Sequence, residues 1–346
     1  MTGGPEGVPV YHNADYESNI QPFGHPESPD RVAAIMILLR KCGLGIDLRL
    51  PSPANESDIL LAHTKEHLAL VRDLGVGYMD PDTFHDGNTY RYAMNAAGGT
   101  CMAARDCVVE KRPIFSLARP PGHHAGADYN MGFCYFNNVA IAARKLMKER
   151  EDVRKVAIID IDAHHGNGTN DIFYSDPNVL YISTHQWGIF PGTGHYKDVG
   201  KGEGEGKTIN LPLRGGTGDP TFREIADTVI LPATKEFAPD AILISLGGDS
   251  HQMDPLTGLS LSTPGYLSLL RSFLDIAHDV CSDRICFELE GGYHPQALAE
   301  TVVGCMNMCS PQPVDLKIRY SETREVTSDS VRIRELTDHL SSYWKI

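Results

Sequence analysis

The segment "DIDAHHGNG" at positions 160–168 holds side chains suited to binding a metal ion. In an extended chain, side chains two residues apart point the same way, so Asp160, Asp162 and His164 can face one site. Carboxylate oxygens and imidazole nitrogens are ligands for zinc, iron(II) and manganese. The alternative interpretation is a polar loop in which an Asp–His pair is only hydrogen-bonded.

A third ligand is available from "SLGGDSHQMDP" at positions 245–255, where Asp249 follows an apolar run and two glycines. Catalytic zinc sites usually have three protein ligands and one open position, so Asp249 would complete a set begun in the first segment. An aspartate in this place is otherwise a helix N-cap or a turn residue. His251 and Asp254 compete with Asp249 for the role of ligand.

Two adjacent histidines, His123 and His124, follow Pro-Pro-Gly in "LARPPGHHAG". Metal-assisted hydrolysis needs a base that takes a proton from water and an acid that gives one to the leaving amine, and a histidine pair can divide that work. Asp160 and Asn167 can orient the two rings by accepting from their second nitrogens. Alternatively, the pair consists of two metal ligands, or of a turn histidine and a buried one.

A tyrosine ends the segment "LEGGY" at positions 289–293. The phenol of Tyr293 can donate a hydrogen bond to an oxygen on which negative charge develops. Most tyrosines at strand ends serve packing instead, so this signal acquires weight only beside the other segments.

Short apolar segments and amphipathic stretches alternate along the chain and must position these side chains. The predicted strands are 8–11, 113–118, 155–162, 179–184, 207–213, 241–248 and 284–292. The predicted helices are 29–42, 56–74, 89–111, 137–149, 219–237, 264–280, 295–309 and a C-terminal helix at about 327–344.

This alternation predicts an α/β fold with a central, mostly parallel sheet and helices on both faces. We expect one domain over residues 1–346, with a core at about 8–310. Each segment with reactive side chains follows the C-terminal end of a predicted strand, and open parallel sheets bind their ligands at that edge. The segments are therefore expected to converge on one site.

The composition restricts the classes of partner. The formal net charge of −14 disfavours direct nucleic-acid binding and favours cationic partners. The sequence has no run of about 18 apolar residues, so we expect no membrane span. No secretory signal is expected at the N-terminus. Eight scattered cysteines without a CxxC pair indicate reduced thiols and a cytoplasmic location. A homo-oligomer is compatible with all of these features.

Several motifs together resemble the histone deacetylase superfamily, which includes acetylpolyamine amidohydrolases and bacterial and archaeal deacetylase-like proteins. They are "RPPGHHA", "MGFCYFNNVAIAA", "DIDAHHGNGT", "FPGTG", "GGDSHQMDPLTGL" and "LEGGY", and they occur in the family order between Tyr11 and Gly304. The resemblance implies the arginase/deacetylase-like fold. It also implies a zinc-dependent amidohydrolase, with iron(II) as the alternative metal, acting on N-acetyl-lysine side chains or acetylated polyamines.

The resemblance also implies roles for individual residues. The family's metal ligands correspond to Asp162, His164 and Asp249. Its catalytic histidines correspond to His123 and His124, with Asp160 and Asn167 as their partners. Its oxyanion tyrosine corresponds to Tyr293. A structural monovalent-cation site, usually for potassium, falls on Asp160 and Ser183 with backbone near Asp162, His164 and Thr184. The substrate tunnel falls on Gly132, Phe133, Phe190 and Leu256, the rim carboxylate on Asp80 or Asp82, and the product-channel arginine on Arg31.

Two features depart from the more usual pattern. Asn167 stands where class I members carry Asp, and together with "LEGGY" it is more similar to the class II branch. Ser250 and His251 also differ from the residues that usually follow the metal aspartate, which leaves the choice between protein and polyamine substrates open.

Two other functions compete with deacetylation. A binding module for acylated lysine would explain aromatic tunnel walls at Phe133 and Phe190, but it would give the metal ligands and Tyr293 no purpose. Another metal hydrolase on this fold, such as a dimanganese ureohydrolase, would need further Asp ligands and could use His123 as a ligand. Acetate release separates the first alternative from a deacetylase, and the number of metal ions per chain separates the second.

Overall fold

The computed structural model describes residues 7–18, 20–323 and 329–346. Ten strands occur in this part of the chain: β1 Val8–Tyr11, β2 Ile46–Arg49, β3 Val76–Asp80, β4 Thr83–Asp86, β5 Ile114–Ser116, β6 Val156–Asp160, β7 Val179–Gln186, β8 Thr208–Leu213, β9 Ala241–Leu246 and β10 Ile285–Leu289. Eight of them form one sheet in the order β2-β1-β5-β10-β9-β6-β7-β8, and every neighbouring pair is parallel. Strands β3 and β4 form a separate antiparallel hairpin.

Helices cover both faces of the sheet. They are α1 Asp30–Cys42, α2 Glu56–Ile59, α3 Lys65–Asp73, α4 Thr89–Glu110, α5 Asn138–Glu149, α6 Asn167–Phe173, α7 Asp219–Ile225, α8 Leu231–Phe237, α9 Thr263–Cys281, α10 Pro295–Met308 and α11 Ser330–Leu340. Successive residues of β6 point to opposite faces, so Ile158 packs in the core beneath α4 and α5 while Ile159 packs in the core beneath α9 and α10. The predicted α/β architecture is therefore confirmed.

Two predicted helices are interrupted. The stretch predicted as 56–74 forms α2 and α3, because Thr64 caps a new helix by accepting the backbone N–H of His67 at 3.2 Å. The stretch predicted as 219–237 contains a π-helical turn at Ala226–Ile230 between α7 and α8. Pro232 lies in the first turn of α8 and has no N–H to donate to the preceding turn, which explains the change in helical geometry.

Some helix and strand boundaries differ from the sequence prediction. The C-terminal helix predicted at about 327–344 is α11, which begins at Ser330 and ends at Leu340; positions 327 and 328 lie outside the described residues. Strand β2 and the β3–β4 hairpin were not predicted from the sequence. None of the helices in the described ranges has the length and apolar character needed to cross a bilayer.

The strand order determines where the reactive segments lie. Strands β5, β10, β9 and β6 are consecutive neighbours in the middle of the sheet. Because all four are parallel, the chain leaves each of them at the same edge. The loops that follow these four strands carry the predicted histidine pair, Tyr293, Asp249 and the Asp162–His164 segment, respectively.

Candidate active site

Three of the predicted ligands meet where β6 and β9 end. One donor atom from each of Asp162, His164 and Asp249 lies within 4.8 Å of the others, and no other such group of three occurs in the described residues. Nδ1 of His164 lies 2.8 Å from Oδ2 of Asp249 and 3.2 Å from Oδ1 of Asp162. Both aspartates are completely buried.

Backbone groups fix the two carboxylates. Asp162 Oδ2 accepts the N–H of Gly291 at 2.8 Å, and Asp249 Oδ1 accepts the N–H of Ala163 at 2.7 Å. A Cβ at position 291 would lie 2.5 Å from Asp162 Oδ2, so a glycine is required for this approach. The ligand atoms are therefore held by rigid backbone at the sheet edge.

The charges of this group favour a cation. Burial alone would lower the pKa of His164, but hydrogen bonds and charges from Asp162 and Asp249 outweigh it and raise the pKa to about 10. Burial and the charge of Asp162 raise the pKa of Asp249 to about 8. Two buried carboxylates around one imidazole, all oxygen and nitrogen donors, are a suitable set for a zinc-type divalent ion.

The competing ligands near Asp249 have other partners. His251 Nε2 lies 3.1 Å from Thr263 Oγ1, and its Nδ1 accepts the N–H of Met253. Asp254 accepts the backbone N–H groups of Tyr293 at 2.6 Å and Leu256 at 2.9 Å. Asp254 thus positions the tyrosine loop, a contact that the sequence analysis did not anticipate.

His123 is surrounded by acidic groups. Its Nδ1 lies 3.0 Å from Asp160 Oδ2, and its Nε2 lies 3.9 Å from Asp162 Oδ1. Burial alone would lower the pKa of His123, but the charges of Asp160, Asp162 and Glu290 outweigh it and raise the pKa well above its usual value. The acidic surroundings therefore favour the protonated form of this imidazole.

His124 has the opposite surroundings. Its Nδ1 lies 2.8 Å from the amide oxygen of Asn167, which orients the ring without adding a charge. Burial lowers the pKa of His124 well below its usual value, and the positive charges of His123 and His164 lower it further. Both ring contacts expected from the sequence are thus present, and the two rings lie 4.0 Å apart between centroids.

Tyr293 lies beside the ligand group, in the loop after β10. Its backbone is held by Asp254, its ring contacts Phe133 edge to face at 6.0 Å, and the guanidinium of Arg31 lies 5.2 Å from the ring centre. Burial raises the pKa of Tyr293 well above its usual value. The neutral phenol can therefore donate a hydrogen bond across the pH range in which histidines titrate.

Three of the predicted tunnel residues surround the catalytic side chains. Gly132 has φ +56°, and a Cβ there would lie 2.4 Å from His124 Cδ2 and 2.9 Å from Phe190 Cε1. The ring of Phe190 meets that of His124 edge to face at 5.1 Å, while Phe133 meets Tyr293. Leu256 is more exposed and is connected to this group through Asp254.

Both predicted rim carboxylates lie at the turn of the β3–β4 hairpin. Asp80 Oδ1 accepts the N–H of Asp82 at 3.0 Å, and its other oxygen accepts the amide of Asn130. Burial and the neighbouring Asp80 raise the pKa of Asp82 to about 6. The hairpin is joined to the tunnel wall because Thr83 Oγ1 accepts the N–H of Phe133 at 3.2 Å.

Arg31 is completely buried beneath the tyrosine loop. Its Nε donates to the carbonyl of Gly292 at 2.7 Å, and it forms an ion pair with Glu27 at 3.1 Å. Glu27 also pairs with the buried Arg119. Burial would raise the pKa of Glu27, but the two guanidinium groups lower it. Sequence reasoning missed Glu27 and Arg119, although both stand in the "HPESPDR" and "RPPGHH" segments.

The residues of the predicted monovalent-cation site are neighbours across β6 and β7. Asp160 and Ser183 are register partners, and Thr184 Oγ1 donates to the carbonyl of Asp160 at 3.4 Å. Asp160 Oδ1 accepts the N–H of Asp162 at 3.1 Å. The hydroxyl of Ser183 lies 2.9 Å from Nδ1 of His185.

Comparison with known proteins assigns this geometry to a family. Residues 25–309 match the model of the histone deacetylase domain. The chain is 38% identical to histone deacetylase 10, chloroplastic, of Oryza sativa subsp. japonica, covering 92% of this chain and 77% of the relative. It is 40% identical to a probable deacetylase of Archaeoglobus fulgidus, covering 85% and 84%, respectively.

A bacterial relative and a solved structure agree with this assignment. The chain is 37% identical to the histone deacetylase-like amidohydrolase of Pseudomonas aeruginosa, over 78% of this chain and 73% of that protein. The crystal structure of the HDA15 HD domain superimposes with a TM-score of 0.88 at 30% identity, covering 99% of this chain and 96% of that one. The fold and the motif resemblance are thereby confirmed, and the chain belongs to the histone deacetylase family.

Proposed function

We propose that this protein is a zinc-dependent hydrolase that removes acetyl groups from N-acetyl-lysine side chains or acetylated polyamines. The observation that carries the proposal is the meeting of the Asp162–His164–Asp249 group with two buried histidines, one held by the carboxylate of Asp160 and the other by the amide of Asn167. A module that only binds acylated lysine would need neither a metal-ligand group nor a neutral base beside it.

Asp162, His164 and Asp249 would hold the zinc ion, and iron(II) suits the same donors. A bound ion supplies Lewis acidity, which polarises the acyl carbonyl and lowers the pKa of water. A structural potassium ion would lie near Asp160 and Ser183. The eight cysteines, all unpaired, fit a reducing compartment such as the cytoplasm.

The histidines and Tyr293 handle protons and charge. Neutral His124 takes a proton from the attacking water and then gives a proton to the leaving amine. Cationic His123 stabilises the negative charge that develops beside it. Tyr293 donates a hydrogen bond to the acyl oxygen as its charge increases. Each role follows from the charge state that the surroundings of the side chain impose.

The tunnel residues bind the substrate stem. Phe133 and Phe190 present aromatic surfaces to an extended methylene chain, and Gly132 leaves room between Phe190 and His124. Leu256 extends the apolar wall outward. Asp80 or Asp82 accepts hydrogen bonds from the substrate at the rim, and Arg31 lies beside the route by which the acid product leaves.

The test is a panel of acetyl-lysine peptides and acetylated putrescine, spermidine and cadaverine, assayed for released acetate with zinc-loaded protein. We expect acetate from at least one substrate class and none from His124→Ala, a variant that leaves the three ligands intact. A hydroxamate, which chelates an open metal position, should inhibit the release. Binding of acetyl-lysine without acetate release by the metal-loaded wild type would contradict the proposal.

A further inference from the structure

Strand β10 and the loop after it place two glutamates on one face of the sheet, because Glu288 and Glu290 are two residues apart. Both side chains are buried, with 1% and 0% of their surface exposed. The carboxylate of Glu290 accepts several hydrogen bonds. Its Oε2 accepts the backbone N–H groups of Gly122 at 2.8 Å and His123 at 3.2 Å, and its Oε1 accepts the hydroxyl of Ser245 at 3.1 Å.

The carboxyl group of Glu288 lacks such donors. Neither of its carboxyl oxygens accepts a hydrogen bond from a donor within the described residues. The amide of Asn138 donates to the carbonyl of Pro120 at 3.1 Å. A buried carboxylate without donors is far less stable than the neutral acid, so this group holds a proton. That proton in turn needs an acceptor.

Glu290, two residues further along the same face, can accept it. Burial raises the pKa of Glu288 well above its usual value, and the charge of Glu290 and a hydrogen bond between the two side chains raise it further. Asn138 and the charge of His123 act in the opposite direction without cancelling the effect. A hydrogen bond between two carboxyl groups exists only when one of them carries the proton.

Several titratable groups interact electrostatically with Glu288. They are Tyr16 from the 3-10 turn before α1, Cys101 of α4, Cys134 before α5, His123 after β5, and Cys286 and Glu290 on either side of Glu288. The only cation among them, His123, is already bonded to Asp160.

We propose that Glu288 is protonated in the working protein and donates its carboxyl hydrogen to Glu290, so that the buried pair carries one negative charge. This bond holds Glu290 on the amides of Gly122 and His123, and Glu288 is thus a positioning residue for the histidine loop. The link to catalysis rests on the proposed function, whereas the shared proton does not.

Two substitutions at Glu288 separate the effect of its carboxyl proton from the effect of its side-chain length. Glu288→Gln keeps the length and an N–H donor for Glu290 but cannot ionise, whereas Glu288→Met keeps the length and loses the donor. We expect near-wild-type kcat and KM for Glu288→Gln. For Glu288→Met we expect kcat to fall by about 10- to 100-fold with KM little changed, as for other residues that act through a neighbour.

Denaturant unfolding of the zinc-loaded proteins between pH 6 and 8 tests the proton without any assay of activity. A carboxyl whose pKa is raised in the folded state loses stability as pH rises above its unfolded pKa. Relative to Glu288→Gln, the wild-type unfolding constant should therefore rise by about tenfold per pH unit in this window. An infrared band of a protonated carboxylic acid should be present in the wild type and missing from Glu288→Gln.

Parallel pH dependences of the wild type and Glu288→Gln would overturn the shared proton. Equal losses of kcat in Glu288→Gln and Glu288→Met would overturn the positioning role. If Glu288→Met does not fold, the Glu288→Gln comparison still decides the first point. A wild type that releases no acetate but shows the pH dependence would refute the proposed function while leaving the proton-sharing pair in place.

Discussion

His123 and His124 are adjacent in the chain, are buried to a similar extent and are each held through Nδ1, yet their pKa values are shifted in opposite directions. The difference arises from their neighbours. His123 faces the carboxylates of Asp160 and Asp162, whereas His124 faces the neutral amide of Asn167. Burial alone would make both neutral, so the charged groups nearby decide the protonation of each.

This comparison has a consequence for catalysis. Hydrolysis of an amide requires a group that is neutral when water attacks and a positive charge that persists as the acyl oxygen becomes negative. Two histidines with the same partners would titrate together and supply one of these at a time. In the proposed mechanism, the aspartate–asparagine difference between Asp160 and Asn167 would allow the pair to supply both.

The largest effect is expected from Asp249→Ala, which disrupts the proposed metal site beside both histidines. Loss of this carboxylate takes away one of the three proposed ligands and a hydrogen bond to His164. We expect a folded protein with little bound zinc and little acetate release, measured by elemental analysis and the acetate assay. Asp275→Ala, on the exposed side of α9, is the control and should retain both. Full zinc occupancy in Asp249→Ala would remove Asp249 from the ligand set.

A smaller and unequal effect is expected when each histidine is replaced. His124→Ala removes the proposed base and acid, and we expect it to lower kcat/KM by about 10²- to 10⁴-fold. His123→Ala removes a stabilising charge and should cost less. Both variants should retain zinc, since neither residue belongs to the ligand group. Steady-state kinetics with one acetyl-lysine peptide compare them, and equal losses would contradict the division of labour.

Gly132→Ala tests whether the position of His124, and not only its charge, matters. The added Cβ would lie 2.4 Å from His124 Cδ2, so the ring must shift. Gly188→Ala is the matched control because Gly188 also has a positive φ, +84°, but nothing lies within 4 Å of the new methyl group. Both should lose roughly 1–2 kcal/mol of stability from backbone strain.

Only Gly132→Ala is expected to lose activity, by about tenfold or more, because displacement of an acid–base group weakens its proton transfer. Thermal unfolding and acetate release measured on the two variants separate strain from displacement. A similar loss of activity in Gly188→Ala would attribute the effect to strain alone.

The sequence predicted the sheet because its strands are short apolar runs. It predicted the edge of the sheet at which the site lies because the reactive residues directly follow those runs. It did not predict the β3–β4 hairpin, whose strands include polar and exposed positions such as Tyr78. It also missed the pairing of Glu27 with Arg119, 92 positions away. Such contacts depend on how distant loops pack, which no local periodicity encodes.

Asp254 illustrates the same limit within the site. From the sequence it competes with Asp249 as a ligand, because both are aspartates after the same strand. In the structure its carboxylate faces the backbone of Tyr293 and Leu256. The type of a residue and its strand therefore predict that it reaches the site, whereas its hydrogen-bond partners decide which role it takes there.

The smallest effect is expected from Asn167→Asp. This substitution would give both histidines a carboxylate partner at Nδ1. A carboxylate 2.8 Å from Nδ1 of His124 favours the protonated ring and raises its pKa. Since the base must be neutral, the acidic limb of the kcat/KM profile should move upward, by about one pH unit or more. Above that limb the rate should approach the wild-type rate, apart from the loss of the amide donor to Tyr129.

Asn170→Asp is the matched control for this charge. It also lies on α6 and is buried, but its amide contacts Asp171 and Asn210 instead of His124. We expect its acidic limb to stay near the wild-type position. An acidic limb that does not move in Asn167→Asp, or that moves equally in both variants, would show that His124 is not the group whose neutral form is required. A shift confined to Asn167→Asp would assign the base to His124, because only that ring receives the new charge directly.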